Sequence, residues 1–313
     1  MGPDPLMLPA MNVRRAVIAL ALLLAGSAGA QSLSLTFDDG LNPDKEPQAR
    51  AWNSQLLEHL RRADIKAMVF PALARTGDGA GRALIADWAA AGHAVGNHTS
   101  RHRSLGSQKV ALEAFIEDVQ EADAAFNALP TWQRRLRFPF LKEGDTVDKR
   151  DGMRAWMYDH GYESAPVSID TSDWYYNDVF LTLSKAGGQD AKLEVLRAHY
   201  IRHLLDRAAY YDKLALQVTG KRPMHVMLLH VNAINATWLP QVVEAFKGQG
   251  WAIISPRKAF TDPLYATPPD TLPAGESIVW ALAKATGVTG LRYPAEDGDY
   301  EAPALRALGL PAD

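Results

Sequence analysis

The sequence contains no cysteine. That excludes a disulfide scaffold, a thiolate nucleophile and thiolate-held zinc, so any metal must sit on nitrogen and oxygen. An excess of charge is missing too: 33 Lys+Arg against 36 Asp+Glu leave a formal net charge of −3. A chain without surplus positive charge has little hold on a phosphate backbone, and no nucleic-acid partner is expected. Long apolar runs are scarce as well. The only strong one, Ala16 to Ala25, is too short to span a bilayer comfortably as a permanent anchor. What remains is a 313-residue chain, long enough for one large domain or two modest ones with a substantial core.

The apolar run follows Arg14-Arg15 and leads into Ala28-Gly29-Ala30. A basic segment, a short apolar segment and small residues around a cleavage point describe a secretory signal peptide over residues 1–30. Cleavage after Ala30 would leave an exported soluble protein, periplasmic or secreted, with no stable membrane insertion.

Beyond Ala30, short apolar runs alternate with helical patterns. Strands are expected at Leu33–Phe37, Ala67–Phe70, Ala94–Asn97, near Leu136–Phe138, at Ala165–Ile169, at Met224–Leu229 and at Trp251–Ile254. Helices are expected at Trp52–Arg62, Arg82–Ala90, Lys109–Ala128, Lys149–Asp159, Lys192–Leu216 and Pro240–Lys247. This alternation predicts α/β architecture with parallel strands, open or closed into a barrel. The region from Tyr175 to Lys221 is longer than one strand–helix unit requires, and its Tyr175, Tyr176, Tyr210 and Tyr211 could stack on sugar rings or pack between helices. From Thr267 to Gly275 the composition is that of a linker. The tail to Asp313, with two short helices, is too small for a core of its own and reads as an appendage packed on the main domain.

Polar residues gather just after the expected strands: Asp38, Asp39, His98, Asp173 and His230. In such folds the C-terminal ends of the strands carry the chemistry. Asp38 and Asp39 point in different directions at a strand end, so one could bind a metal while the other faces a substrate; an Asp-Asp-Gly turn can equally be structural. His98 and His102, four apart, would converge on one face of a helical turn. Two histidines and a carboxylate are a common catalytic set that leaves positions open for water and substrate. His199 and His203 share that spacing but have no strand-end carboxylate beside them, and are read as an exposed or half-buried helical face. His230, closing an apolar strand, is either a satisfied core residue or a general acid whose tautomer Asp173 would fix.

Five segments, taken in order, resemble the polysaccharide deacetylases, the NodB-homology enzymes of carbohydrate esterase family 4. They are Thr36-Phe-Asp-Asp-Gly40, Gly92-His-Ala-Val-Gly-Asn-His-Thr-Ser-Arg-His102, Arg137-Phe-Pro-Phe140, Asp170-Thr-Ser-Asp-Trp174 and Leu228-Leu-His230. The resemblance spans about Leu33 to Tyr265 and implies a distorted (β/α) barrel over residues 31–266, with a short C-terminal extension at 267–313. It also implies a divalent metal, most often zinc, held by Asp39, His98 and His102 with water at an open site. By the same resemblance Asp38 is the base acting on that water, oriented and kept ionised by Arg137. The backbone N–H of Phe140 helps hold the oxyanion, His230 is the acid tuned by Asp173, and Trp174 and Leu228 wall an acetyl pocket.

The implied activity is hydrolysis of N-acetyl groups on an extracytoplasmic glycan: peptidoglycan, chitin oligomers or an exopolysaccharide. O-acetyl esters or small-molecule amides as substrates, and a non-catalytic glycan-binding module, stand as alternatives. Many relatives carry Pro-Tyr-Gly where this chain has Pro139-Phe140-Leu141. The following Lys142-Glu143 therefore predict a differently shaped rim.

Overall fold

The computed structural model describes residues 1–2, 31–292, 294 and 298–312. The chain divides by compactness into residues 1–30 and 31–313, and the expected leader lies outside the described residues. Among the described residues, no helix is long and apolar enough to cross a membrane.

The second unit opens with β1 (Ser32–Asp39), whose inner six residues are all buried. Alternation sends Leu33, Leu35 and Phe37 to one face and Ser34, Thr36 and Asp38 to the other. Next come α1 (Ala49–Arg62), β2 (Met68–Pro71), α2 (Leu73–Thr76), α3 (Ala80–Ala90) and β3 (Ala94–Asn97). The inward face of α1 repeats at helical spacing through Ala49, Asn53, Leu56 and Leu60. Trp52 and Leu57 are only half-buried, because Asn53 takes the inner position and accepts a hydrogen bond from Trp88 Nε1 at 2.8 Å. Then follow α4 (Leu112–Phe126), β4 (Trp132–Leu136), the 3₁₀ turn Pro139–Leu141, β5 (Lys142–Gly144), α5 (Val147–Asp159) and β6 (Glu163–Ser164).

Two helices, α6 (Asp173–Ala186) and α7 (Asp190–Thr219), precede β7 (Met224–His230), α8 (Ala233–Gly248), β8 (Ala252–Ile253) and α9 (Pro256–Ala259). The tail adds β9 (Ala274–Gly275), α10 (Ile278–Ala285) and α11 (Gly298–Ala307).

Among the described residues, one seven-stranded parallel sheet runs β6-β4-β3-β2-β1-β7, with β8 also on β1. Its two ends curl toward each other. Beyond β6, Ile169 forms an isolated parallel bridge to Met227 of β7, and the Ser168 and Ile169 amides both donate to Val226 O at 3.0 Å. The expected distorted barrel of parallel strands is therefore the fold that forms.

The structure corrects several element assignments. Ala165–Ile169 is not a regular strand: Pro166 removes a ladder donor, and only the single bridge at Ile169 remains. The strand expected near Leu136–Phe138 ends at Leu136, just before the turn at Pro139. Helix α6 was not anticipated. Helix α8 starts seven residues before Pro240, because the Asn232 side chain accepts from Asn235 N–H and caps it there.

Apolar residues of the tail, among them Val279, Ala283, Ala302 and Leu305, belong to the same buried cluster as the barrel strands. Ser277 Oγ donates to Ser168 O at 2.8 Å, Ile278 N–H donates to Val167 O at 2.8 Å, and β9 pairs antiparallel with β5. Tyr175, Tyr176 and Tyr211 are buried in this core, which settles their choice in favour of packing.

Close packing inside the barrel singles out Gly96 of β3. A Cβ there would stand 2.5 Å from Phe70 Cε1, and the Phe70 ring lies beneath the Arg137 guanidinium at 4.5 Å. Gly96→Ala is expected to cost about 1–3 kcal/mol through overpacking. Urea denaturation of the purified variant checks this; a midpoint equal to that of the unsubstituted protein would show that the ring can yield.

Candidate active site

The polar residues singled out by sequence meet at the C-terminal ends of β1, β3, β4 and β7. Parallel register places Asp38 of β1 directly beside His230 of β7. On the other flank Asn97 of β3 pairs with Leu136 of β4, so that His98 and Arg137, the next residue of each strand, are neighbours. The Arg137 amide donates to Asn97 O at 2.9 Å, and His98 Nδ1 bonds Arg137 O at 2.7 Å. That contact places the proton on Nδ1 and leaves Nε2 with a free lone pair.

Asp38 is 2% exposed and receives Arg137 Nη1 at 2.9 and 3.2 Å. The guanidinium is itself held by Nε donating to Ala165 O and Nη2 donating to Thr36 Oγ1. Burial raises the Asp38 carboxyl to about 6, against the opposing charge of Arg137 and of His230. Arg137 thus orients the carboxylate and limits, rather than cancels, the effect of burial.

Across the site, burial penalises the His230 imidazolium, but Asp173, then Asp39 and Asp38, outweigh it and lift the ring to about 10. Asp173, fully buried, accepts from the His230 backbone N–H at 2.7 Å, meets Nδ1 at 2.7 Å, and accepts from Asn232 Nδ2 at 3.1 Å and Asn235 Nδ2 at 2.7 Å. At neutral pH the two sides of the site carry opposite charge.

Beside them lie Asp39, His98 and His102, each offering one ligand atom, all within 4.8 Å of one another. His102 Nε2 stands 3.3 Å and His98 Nε2 3.8 Å from Asp39 Oδ1. Among the described residues, Asp39 Oδ1 is a buried oxygen with no hydrogen-bond partner, while Oδ2 faces Arg75 Nε at 3.4 Å. Burial pushes His98 well below its ordinary range and His102 down to about 4, so both rings are neutral and keep a lone pair. An orphaned carboxylate oxygen between two neutral imidazoles fits a small divalent cation.

The histidine pair converges without a helix, contrary to the expected helical turn. It lies on a loop where Thr99 and His102 take φ of 67° and 51°. Asn97 Oδ1 accepts from Thr99 N–H and Thr99 Oγ1 from His102 N–H. Asp118 of α4 anchors the loop from below, meeting Ser100 Oγ, Arg101 Nη1 and Arg103 Nε. The control pair behaves differently again: His203 is buried, against the expected exposed or half-buried face, because it meets Glu301 and Ser172.

Asp38, Asp39, His98, His102 and His230 face a cavity of about 610 Å³, within the range of small-ligand sites. Phe140, Trp174 and Leu228 line it, as do Arg75, Asn177 and Leu181. Phe140 is 43% exposed, at φ 56°, and its ring meets His102 edge-on at 4.7 Å. Lys142 and Glu143 do not line the cavity. They enter the β5–β9 ribbon, where Lys142 pairs with Glu276, so the rim is made by Phe140 and Leu141 instead.

Sequence reasoning missed Asp118, Arg75, Asn232 and Asn235. Only Asn232 carried a readable signal, a capping side chain just before an apolar helical run.

Residues 25–161 match the family model for polysaccharide deacetylase. No curated protein matches the chain in sequence. Among solved structures, the chitin deacetylase of the fungal pathogen Colletotrichum lindemuthianum aligns with TM-score 0.50 and 17% identity over 74% of this chain and 88% of its own. A family 4 carbohydrate esterase from Streptococcus mutans aligns with TM-score 0.50 and 18% identity over 72% and 86%. At such identities these two establish a shared fold. The family match over residues 25–161 and the curled parallel barrel agree: that stretch is similar to the polysaccharide deacetylases, and the chain shares the fold of these two structures.

Proposed function

We propose that the protein is a metal-dependent hydrolase that removes N-acetyl groups from an extracytoplasmic glycan such as peptidoglycan, a chitin oligomer or an exopolysaccharide. The observation that carries this reading is the placement of a buried carboxylate, Asp38, and a carboxylate-held imidazole, His230, at paired positions on β1 and β7, beside the Asp39–His98–His102 donor set.

In this reading Asp39, His98 and His102 hold a divalent ion, zinc by family resemblance. When bound, such an ion supplies a Lewis acid that acidifies water and polarises an acyl carbonyl. The protein's own groups supply the rest. Asp38, fixed by two contacts to Arg137, accepts the proton of the attacking water. The Phe140 amide, at the cavity rim, donates to the oxygen on which negative charge develops. His230 holds its Nδ1 proton against Asp173, leaving Nε2 to protonate the departing nitrogen, without which an amide leaves poorly. Trp174 and Leu228 supply apolar surface for the methyl group.

Acetate release by the zinc-loaded protein, tested on acetylated glycans, O-acetyl esters and small amides, checks the activity. N-acetyl glycans should be turned over, and a protein that releases acetate from none of the three classes would be a binding module. Asp38→Asn is expected to lower turnover by about 10²-fold or more while zinc content, measured by mass spectrometry, stays near that of the unsubstituted protein. Full activity in that variant would remove Asp38 from the chemistry. His102→Ala should lose zinc and activity together; unchanged zinc occupancy would point to another donor set.

A further inference from the structure

Asp173 is the first residue of α6, and the residue before it, Ser172, is gripped from outside the barrel. Its backbone N–H donates to His203 Nε2 at 3.1 Å, and its Oγ donates to Glu301 Oε1 at 3.1 Å across 129 residues of sequence. His203 and Arg207 belong to α7, and Glu301 belongs to the tail helix α11. The three are tied together, with Arg207 Nη2 donating to Glu301 Oε1 at 2.9 Å and His203 Nδ1 lying 3.5 Å from Oε2. All four residues are buried. A carboxylate in such a place is costly unless paired. Burial would raise its pKa, but contacts with His203 and Arg207 bring it down to about 2, so Glu301 stays ionised.

A second contact from the same helix points the same way. Gly298, the first residue of α11, lies so close to α6 that a Cβ would stand 2.7 Å from Tyr175 Cδ2 and 3.5 Å from Trp174 Cη2. The tail helix therefore touches residues 172, 174 and 175 on the first turn of α6, and Trp174 is a wall of the cavity. Asp173 sits between these contacts and passes their constraint directly to His230. Resting on the assignment of His230 as the proton donor, we infer that Glu301 is a positioning residue for the Asp173–His230 pair. Through Ser172 it sets where the Asp173 carboxylate lies, and so where His230 Nε2 points.

The test compares Glu301→Gln and Ser172→Ala with the unsubstituted protein. Gln keeps the size of the side chain but removes its charge; Ser172→Ala removes the direct Oγ contact with Glu301 while leaving the backbone bond to His203 and the Arg207–Glu301 pair, and serves should the first variant not fold. The readout independent of activity is the nuclear magnetic resonance of the His230 Nδ1 proton, assigned against His230→Ala. Its short bond to Asp173 should place it far downfield, and it should shift or broaden in both variants.

The activity readout separates proton donation from general damage. An N-acetylglucosamine oligomer needs its leaving nitrogen protonated, whereas the phenolate of p-nitrophenyl acetate leaves unaided. In the zinc-loaded variants, kcat on the oligomer should fall about tenfold with KM held, and aryl acetate hydrolysis should stay within about twofold. An unchanged His230 resonance, or equal losses on both substrates in step with a lowered Tm, would overturn the inference and leave Glu301 a structural residue. Should the unsubstituted protein release no acetate, the proposed function fails, and the resonance alone decides the role of Glu301.

Discussion

The site is organised by a buried ion pair. Asp38 and Arg137 face each other inside the barrel, 2% and 1% exposed, at 2.9 Å. Neither charge would be tolerated there alone. Their pairing dictates much around them: Thr36 is a hydroxyl because it receives Nη2, Ala165 turns its carbonyl inward to meet Nε, and Phe70 offers its ring face to the guanidinium. Gly96 is small because Phe70 fills the space beside it. One charge at a strand end thus constrains residues on four other segments of the barrel wall.

Backbone strain gathers at the same end of the barrel. Asp39, Thr99, His102, Phe140 and Leu141 all have positive φ, which costs energy in residues with side chains. Asp39, His102, Phe140 and Leu141 line the cavity, and Thr99 turns the loop that carries His102. On the histidine loop, the bond from Thr99 N–H to Asn97 Oδ1 and the contacts of Ser100, Arg101 and Arg103 with the Asp118 carboxylate hold the conformation in place. Pre-organisation of this kind lets donors and acceptors wait in position for a reacting group.

Much of this was legible in the sequence because the strands are short, apolar and followed by polar punctuation. Asp38, His98 and His230 could be placed at strand ends from that pattern, whereas Arg137, expected within a strand, was singled out only by the family resemblance; the structure brings all four together. Legibility failed where an interaction was long-range or local rules competed. The His98–His102 spacing fits a helix, but Asn97 and Thr99 side chains bond the backbone and favour a tight loop. Pro240 looked like a helix start, although Asn232 had already begun that helix. Nothing in the spacing of His199 and His203 could reveal that a glutamate about a hundred residues later would bury one of them. The Tyr175–Lys221 region and the tail, ambiguous as isolated segments, make sense only against each other.

The strand that carries both aspartates occupies the middle of the sheet, yet its partner β7 lies about 190 residues further along the chain. During synthesis the first strand can pair early with β2, but its other edge must wait for β7 until most of the molecule has emerged. Contacts so distant in sequence form slowly, because the entropy of closing the intervening loop is lost before the pairing offers anything in return. Assembly of this catalytic end is bound to be a late event in the life of a newly made chain, and the time before it is when the protein is most exposed to aggregation.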